Sequence, residues 1–108
     1  MSERKTFAIN DKNYRLHYTE GRLEMIENRL GKSVVSEFIQ SNGALPIASV
    51  KAHFSYALVC EDDPDVYVKP KDGAALASAY MREHGYASVC DVIATGLESD
   101  LGFLFRAG

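Results

Sequence analysis

The sequence has no surplus of positive charge, no long apolar run, no glycine-rich loop and very little cysteine. Across 108 residues, 12 Lys and Arg stand against 15 Asp and Glu, a formal net charge of −3. Such a balance offers no excess of cations to neutralise phosphates, which argues against nucleic-acid and anionic-membrane partners. The apolar runs are a few residues long, far short of the roughly 20 that a membrane-spanning helix needs. The opening residues, Met-Ser-Glu-Arg-Lys, carry no apolar signal region. Gly31, Gly43, Gly85 and Gly102 stand singly, at helix stops or near the end of the sequence. They form no loop that would cradle a phosphate. There is no Gly-x-Ser-x-Gly elbow, and neither cysteine has neighbours that would activate a thiolate. Cys60 and Cys90 each sit in a helix-like apolar pattern. The expectation is two buried thiols in a reducing, cytoplasmic setting and no disulfide.

Metal chemistry is equally thin. His17, His53 and His84 are far apart, and no His-x-x-x-His or Cys-x-x-Cys spacing accompanies them. Glu61, Asp63, Asp65 and Asp72 occupy positions 1, 3, 5 and 12 of a calcium-loop spacing. Position six is Val66 where that loop needs a turn glycine, Pro64 interrupts it, and the last carboxylate is a short Asp. A solvated acidic loop is the expected reading, with no cofactor and no metal.

What is present describes one globular domain over residues 1–108. Hydrophobic residues make up 46% and charged residues 25%, an ordinary balance for a folded chain. Thr6-Phe-Ala-Ile9 and Tyr14-Arg-Leu-His-Tyr18 read as two strands around a polar turn, Asn10 to Asn13. One face of this hairpin carries Tyr14, Leu16 and Tyr18, and must pack on something because an isolated hairpin is marginal in water. Thr19 is placed to cap a first helix carrying Leu23, Ile26 and Leu30, which stops at Gly31. Ser33 opens a short second helix with Val34, Val35, Phe38 and Ile39, ending near Asn42-Gly43. Pro46 and Ser49 introduce a third, with Val50, Phe54, Ala57, Leu58 and Cys60 on its inner side. Val66-Tyr67-Val68 fits either an extended connector or a third strand. A fourth helix follows Pro70 and stops at Gly85; a fifth opens on a Ser88/Asp91 capping box and runs through Leu97. The fold class is therefore α+β: an N-terminal β-hairpin over 6–18, then a helical part over 19–105 made of four to five short helices.

The feature with the best claim to function is the closing apolar run, Leu101-Gly-Phe-Leu-Phe105. It either tucks into the core or presents a strip that docks a partner. Helix two poses the same choice. The candidate protein-contact residues are Val35, Phe38, Ile39, Leu97, Leu101, Phe103, Leu104 and Phe105.

The order of these elements resembles the tail assembly chaperones of long-tailed phages, prophages and gene transfer agents. The residues that carry the resemblance are the strands Thr6–Ile9 and Tyr14–Leu16 and the run Ile26-Glu-Asn-Arg-Leu-Gly-Lys-Ser33. That run fits the family's Ile-Glu-x-x-Leu-Gly-x-Ser turn into further helices. Leu101–Phe105 loosely fits the family's Gly-Phe-Phe-like closing segment, while the acidic loop 61–65 has no counterpart. The resemblance implies a non-enzymatic role in the bacterial cytoplasm. Its partners would be the tape measure protein, kept soluble, and the tail tube subunits that later displace the chaperone. Self-association through the apolar tail is a further expectation. Two other classes compete. A small regulatory or antitoxin-like binder would hold one compact partner tightly and commonly carries a basic reading helix, whereas helix five carries Asp91, Glu98 and Asp100. A small enzyme would gather polar groups dispersed along the sequence.

Overall fold

A computed structural model describes residues 6–106. Three antiparallel strands, in the order β1–β2–β3, lean on five helices. The strands are β1 (Thr6–Ile9), β2 (Lys12–Leu16) and β3 (Leu58–Cys60). The helices are α1 (Glu20–Leu30), α2 (Val34–Gln40), α3 (Ile47–Ala57), α4 (Pro70–His84) and α5 (Tyr86–Leu101), and a 3₁₀ turn closes the chain over Gly102–Phe105. This is the expected α+β arrangement, with a hairpin ahead of five helices. Among the described residues, no helix is long and apolar enough to cross a membrane.

The hairpin turn is tighter than its polar sequence suggests. Ile9 pairs with Lys12, leaving only Asn10 and Asp11 between the strands. Both have positive φ, 51° and 69°, the mirror-image turn whose twist matches two antiparallel strands. Lys12 and Asn13 therefore belong to β2. The face carrying Tyr14, Leu16 and Tyr18 is buried as the alternation requires.

The third helix ends earlier than its apolar pattern implies. Leu58 turns to extended geometry, φ −80° and ψ 133°, and Leu58–Cys60 pairs with β2 through Leu16↔Leu58 and Tyr14↔Cys60. Cys60 thus lies on a strand. An apolar run of this length suits a helix end or a buried strand equally; the unfilled edge of β2 decides. Val66–Val68 supplies a single bridge, Val59↔Tyr67, rather than a strand. The acidic loop between is pinned at its start, where Arg15 Nε meets Glu61 Oε2 at 2.8 Å.

The fifth helix begins two residues before the expected cap. Gly85, at φ 91°, both ends α4 and precedes Tyr86, so no residue remains for a separate loop. Ser88 lies inside the first turn, and its hydroxyl shares a 2.6 Å hydrogen bond with Tyr80 on α4. It caps nothing.

Elsewhere the local signals act as the sequence predicts. Thr19 accepts from the Arg22 amide and Gly31 takes the left-handed conformation. The run Ile26–Ser33 acquires a physical account. Ile26 is buried in the core. The Glu27 carboxylate accepts from the Val34 amide at 2.9 Å, and Ser33 Oγ accepts from Ser36 at 3.1 Å. Two open amides of α2 are thereby satisfied, which sets the angle between α1 and α2.

The core centres on Phe54, which is fully buried. Phe7, Phe54 and Tyr80 meet with centroid separations of 5.1 to 6.0 Å, joining β1, α3 and α4. Helices α3 and α4 cross closely because position 73 is glycine: a Cβ there would stand 2.3 Å from Phe54 O.

Candidate functional site

Helix α2 is only seven residues long and presents two unlike faces. On the inner side, Val34 is buried. Glu37 accepts from Ser49 Oγ at 2.7 Å and pairs with Lys32. Burial alone would raise the Glu37 carboxyl; the hydrogen bonds from Lys32 and Ser49 outweigh it and hold the group below its ordinary range. His53, one turn beyond Ser49 on α3, is sealed inside and its pKa falls to about 4 because burial disfavours the imidazolium. Its Nδ1 lies 2.7 Å from the Tyr18 hydroxyl, while Nε2 has no partner. With no exposure, this ring braces the interior rather than serving an incoming molecule.

The side of α2 next to α5 is apolar. Phe38 and Ile39 face α5 across an open groove of about 530 Å³, which is completed by Ala87, Cys90 and Ala94 of α5 and by Phe105. Asn42 and Asp91 are its polar members. Phe105 meets Phe38 edge to face at a centroid distance of 5.6 Å. Ile39 is 64% exposed and Phe103 49%. An unpaired isoleucine at that exposure adjoining an apolar groove is the kind of surface that takes up another protein's side chains.

The eight candidate contact residues divide. Phe38, Ile39 and Phe105 meet in the groove. Val35 and Leu104 are half-buried, and Phe103 stands out into solvent. Leu97 and Leu101, expected as contacts, are instead core residues at 0% and 4% exposure. They lie on the inner stripe of α5, together with Val89 and Ile93. The sequence reading missed the adjoining stripe, Ala87, Cys90 and Ala94. Its signal was there: small side chains at helical spacing, which let another chain approach closely.

Two other depressions lie nearby, one against α2 and one between the end of α1, α3 and α4. One of about 370 Å³ is lined by Lys32, Ser33, Ser36, Glu37, Gln40, Ser41, Ala44 and Pro46. Another, of about 450 Å³, has Arg29, Lys32 and Lys51 around Leu30, Ala48, Ala52 and Ala74. Among the described residues, no three His, Cys, Asp or Glu side chains gather as a metal-ligand set. His17, His53 and His84 remain on separate elements, His84 Nε2 lying 3.0 Å from Ala8 O.

No known protein family matches this chain, and neither a curated protein nor a solved structure matches it.

Proposed function

We propose that the protein is a non-enzymatic phage tail assembly chaperone, binding the tape measure protein in the cytoplasm and keeping it soluble until tail tube subunits polymerise around it. The observation that carries this reading is the apolar groove between α2 and α5, open to solvent and edged by Ile39. A tape measure protein is long and helical, and an amphipathic helix lays its apolar face into a groove of this kind. Several copies spaced along such a client hold it through many weak contacts, which subunit polymerisation then displaces in turn. The resemblance of Ile26–Ser33 to the family's helix joint supports the same reading.

The test is co-expression with the tape measure protein encoded beside it. The client should be soluble with the native chain and insoluble alone. Ile39→Asp, at an exposed position, should lose the effect while its own melting transition stays unchanged. A genome neighbourhood without tail genes, or a client equally soluble alone, would sink the proposal.

A further inference from the structure

The cleft between the end of α1, α3 and α4 carries charge of one sign in a chain whose overall balance has the other. Its rim holds Arg29, Lys32 and Lys51, and among the described residues no carboxylate lines it. Yet Asp and Glu outnumber Lys and Arg by 15 to 12 along the sequence. Lys32 is held by Glu37. Arg29 and Lys51 have no acidic partner among the described residues. The floor follows from the close crossing of α3 and α4 at Gly73, which lets Ala52, Ser55 and Ala74 line one cleft. Ser55 is only 9% exposed, but its hydroxyl meets no hydrogen-bond partner among the described residues. A polar group so nearly buried is normally satisfied; this one belongs to the lining of the cleft. At the other end lies the start of α3, where Pro46 and Ala48 line the cleft and no side chain caps the helix. Its open amides and dipole favour an anion there. From Pro46 to Ser55 the chain advances about 13 Å along α3 at the helical rise, with the methyl groups of Ala48, Ala52 and Ala74 between.

We propose that this cleft binds a small organic anion: an aliphatic carboxylate whose head meets Arg29, Lys51 and the open first turn of α3, and whose far end carries a polar group for Ser55. The volume, about 450 Å³, falls in the range of small-molecule sites, roughly 300 to 1,000 Å³. The two unpaired cations select an anionic head and repel an amine. Leu30, Ala48, Ala52 and Ala74 make the body of the site apolar, which favours a hydrocarbon chain over a compact inorganic ion. The Ser55 hydroxyl can donate or accept, so it suits a hydroxyl or a carbonyl on the ligand. The inference goes beyond the chaperone reading and does not depend on it: this cleft and the α2–α5 groove share no lining residue.

The experiment titrates the isotope-labelled full chain with 6-hydroxyhexanoate and follows the backbone amides by NMR. Saturable shifts should centre on Ala48, Ala52, Ser55 and Ala74, with a Kd on the order of 1 mM, as expected for so few ligand atoms. Arg29→Gln and Lys51→Gln, at exposed positions, should each weaken binding by roughly threefold to tenfold through the loss of a charge-assisted contact. Ser55→Ala should weaken 6-hydroxyhexanoate by about threefold or more and leave hexanoate, which lacks the hydroxyl, unchanged. A merely structural role for Ser55 would move both ligands together. 6-Aminohexanol, of the same length with a cationic head, should not bind. Shifts that fail to saturate or that centre elsewhere overturn the proposal. So does native affinity in both Arg29→Gln and Lys51→Gln, or equal binding of 6-aminohexanol. Inorganic phosphate binding as tightly as 6-hydroxyhexanoate means that the cleft reads charge alone, and overturns the proposed ligand class. Solubilisation of the tape measure protein by Lys51→Gln should match the native chain, so the two readings fail separately.

Discussion

The hydroxyl of Tyr18 and Nδ1 of His53 lie 2.7 Å apart in the closed interior, and the other ring nitrogen of His53 has no partner. Whichever tautomer is present, protonation would place a charge where water is absent. Glu37 is the acidic group that opposes this, and it is already engaged by Lys32 and Ser49. The folded chain therefore holds His53 neutral down to a pKa of about 4.

Acid should destabilise the fold well above the carboxylate range. An unfolded histidine titrates near its ordinary 6.5, so between there and 4 the unfolded chain takes up a proton that the folded chain refuses. Stability is complete above the upper value, falls by about 1.4 kcal/mol per pH unit through that window, and levels below it, a loss of about 3 kcal/mol. Urea unfolding between pH 7 and pH 5 reads the slope before Glu37 contributes. Glu37 acts lower: its folded pKa is depressed, so its stabilisation is lost as pH falls through its titration. The double variant Tyr18→Phe/His53→Phe removes both partners and should flatten the upper slope; an unchanged slope refutes the assignment.

The helix crossing depends on the missing Cβ at position 73. Gly73→Ala places a carbon 2.3 Å from the Phe54 carbonyl oxygen and 3.0 Å from the Ser55 Cα, both backbone atoms that cannot rotate aside. The expected cost is about 2 to 3 kcal/mol, at the upper end for an overpacked interior. Gly102→Ala meets open space and should stay within about 0.5 kcal/mol of the native chain. Thermal melts of the two variants decide; equal melting points would mean that α3 and α4 do not cross this closely.

The joint between α1 and α2 has its own prediction. Glu27→Ala leaves the Val34 amide without its side-chain acceptor and should cost about 1 kcal/mol, comparable to losing a helix cap. Glu27→Gln keeps an acceptor oxygen and should recover much of it. If the two variants unfold at the same urea concentration as the native chain, the carboxylate does not cap α2.

The apolar tail splits at Gly102. Leu101→Ala removes a buried side chain and should cost about 2 to 5 kcal/mol. Phe103→Ser changes an exposed one and should cost less than about 0.5 kcal/mol. Equilibrium unfolding of both variants separates the structural half of the tail from the half left for partners.

Strand and helix stops were legible wherever one residue type carries the geometry. Thr19 and Ser33 cap because their hydroxyls accept from the amide three residues on. Gly31, Gly43 and Gly85 adopt the positive φ that glycine permits without strain. The face Tyr14, Leu16, Tyr18 followed from period-two alternation. Errors arose where a residue serves two elements at once. Ser88 has the spacing of a cap, but Gly85 had already started the helix and Tyr80 claimed the hydroxyl. Leu58–Cys60 has helical apolar spacing, but the open edge of β2 drew it into the sheet.

The candidate groove was half legible for the same reason. Phe38, Ile39 and Phe105 stood out because large apolar side chains near a short helix and a chain end are conspicuous. Ala87, Cys90 and Ala94 did not, since small side chains acquire meaning only when another element lies opposite. Leu97 and Leu101 look like Phe103 and Phe105 in one dimension, and only the direction of α5 sends the first pair inward. By itself the sequence determined most element types, most of their ends and the α+β class, because capping, turn chemistry and periodicity are local. Tertiary structure alone decided which apolar residues were left over. That depends on how much surface each face finds to bury against, a sum over contacts distant in the chain.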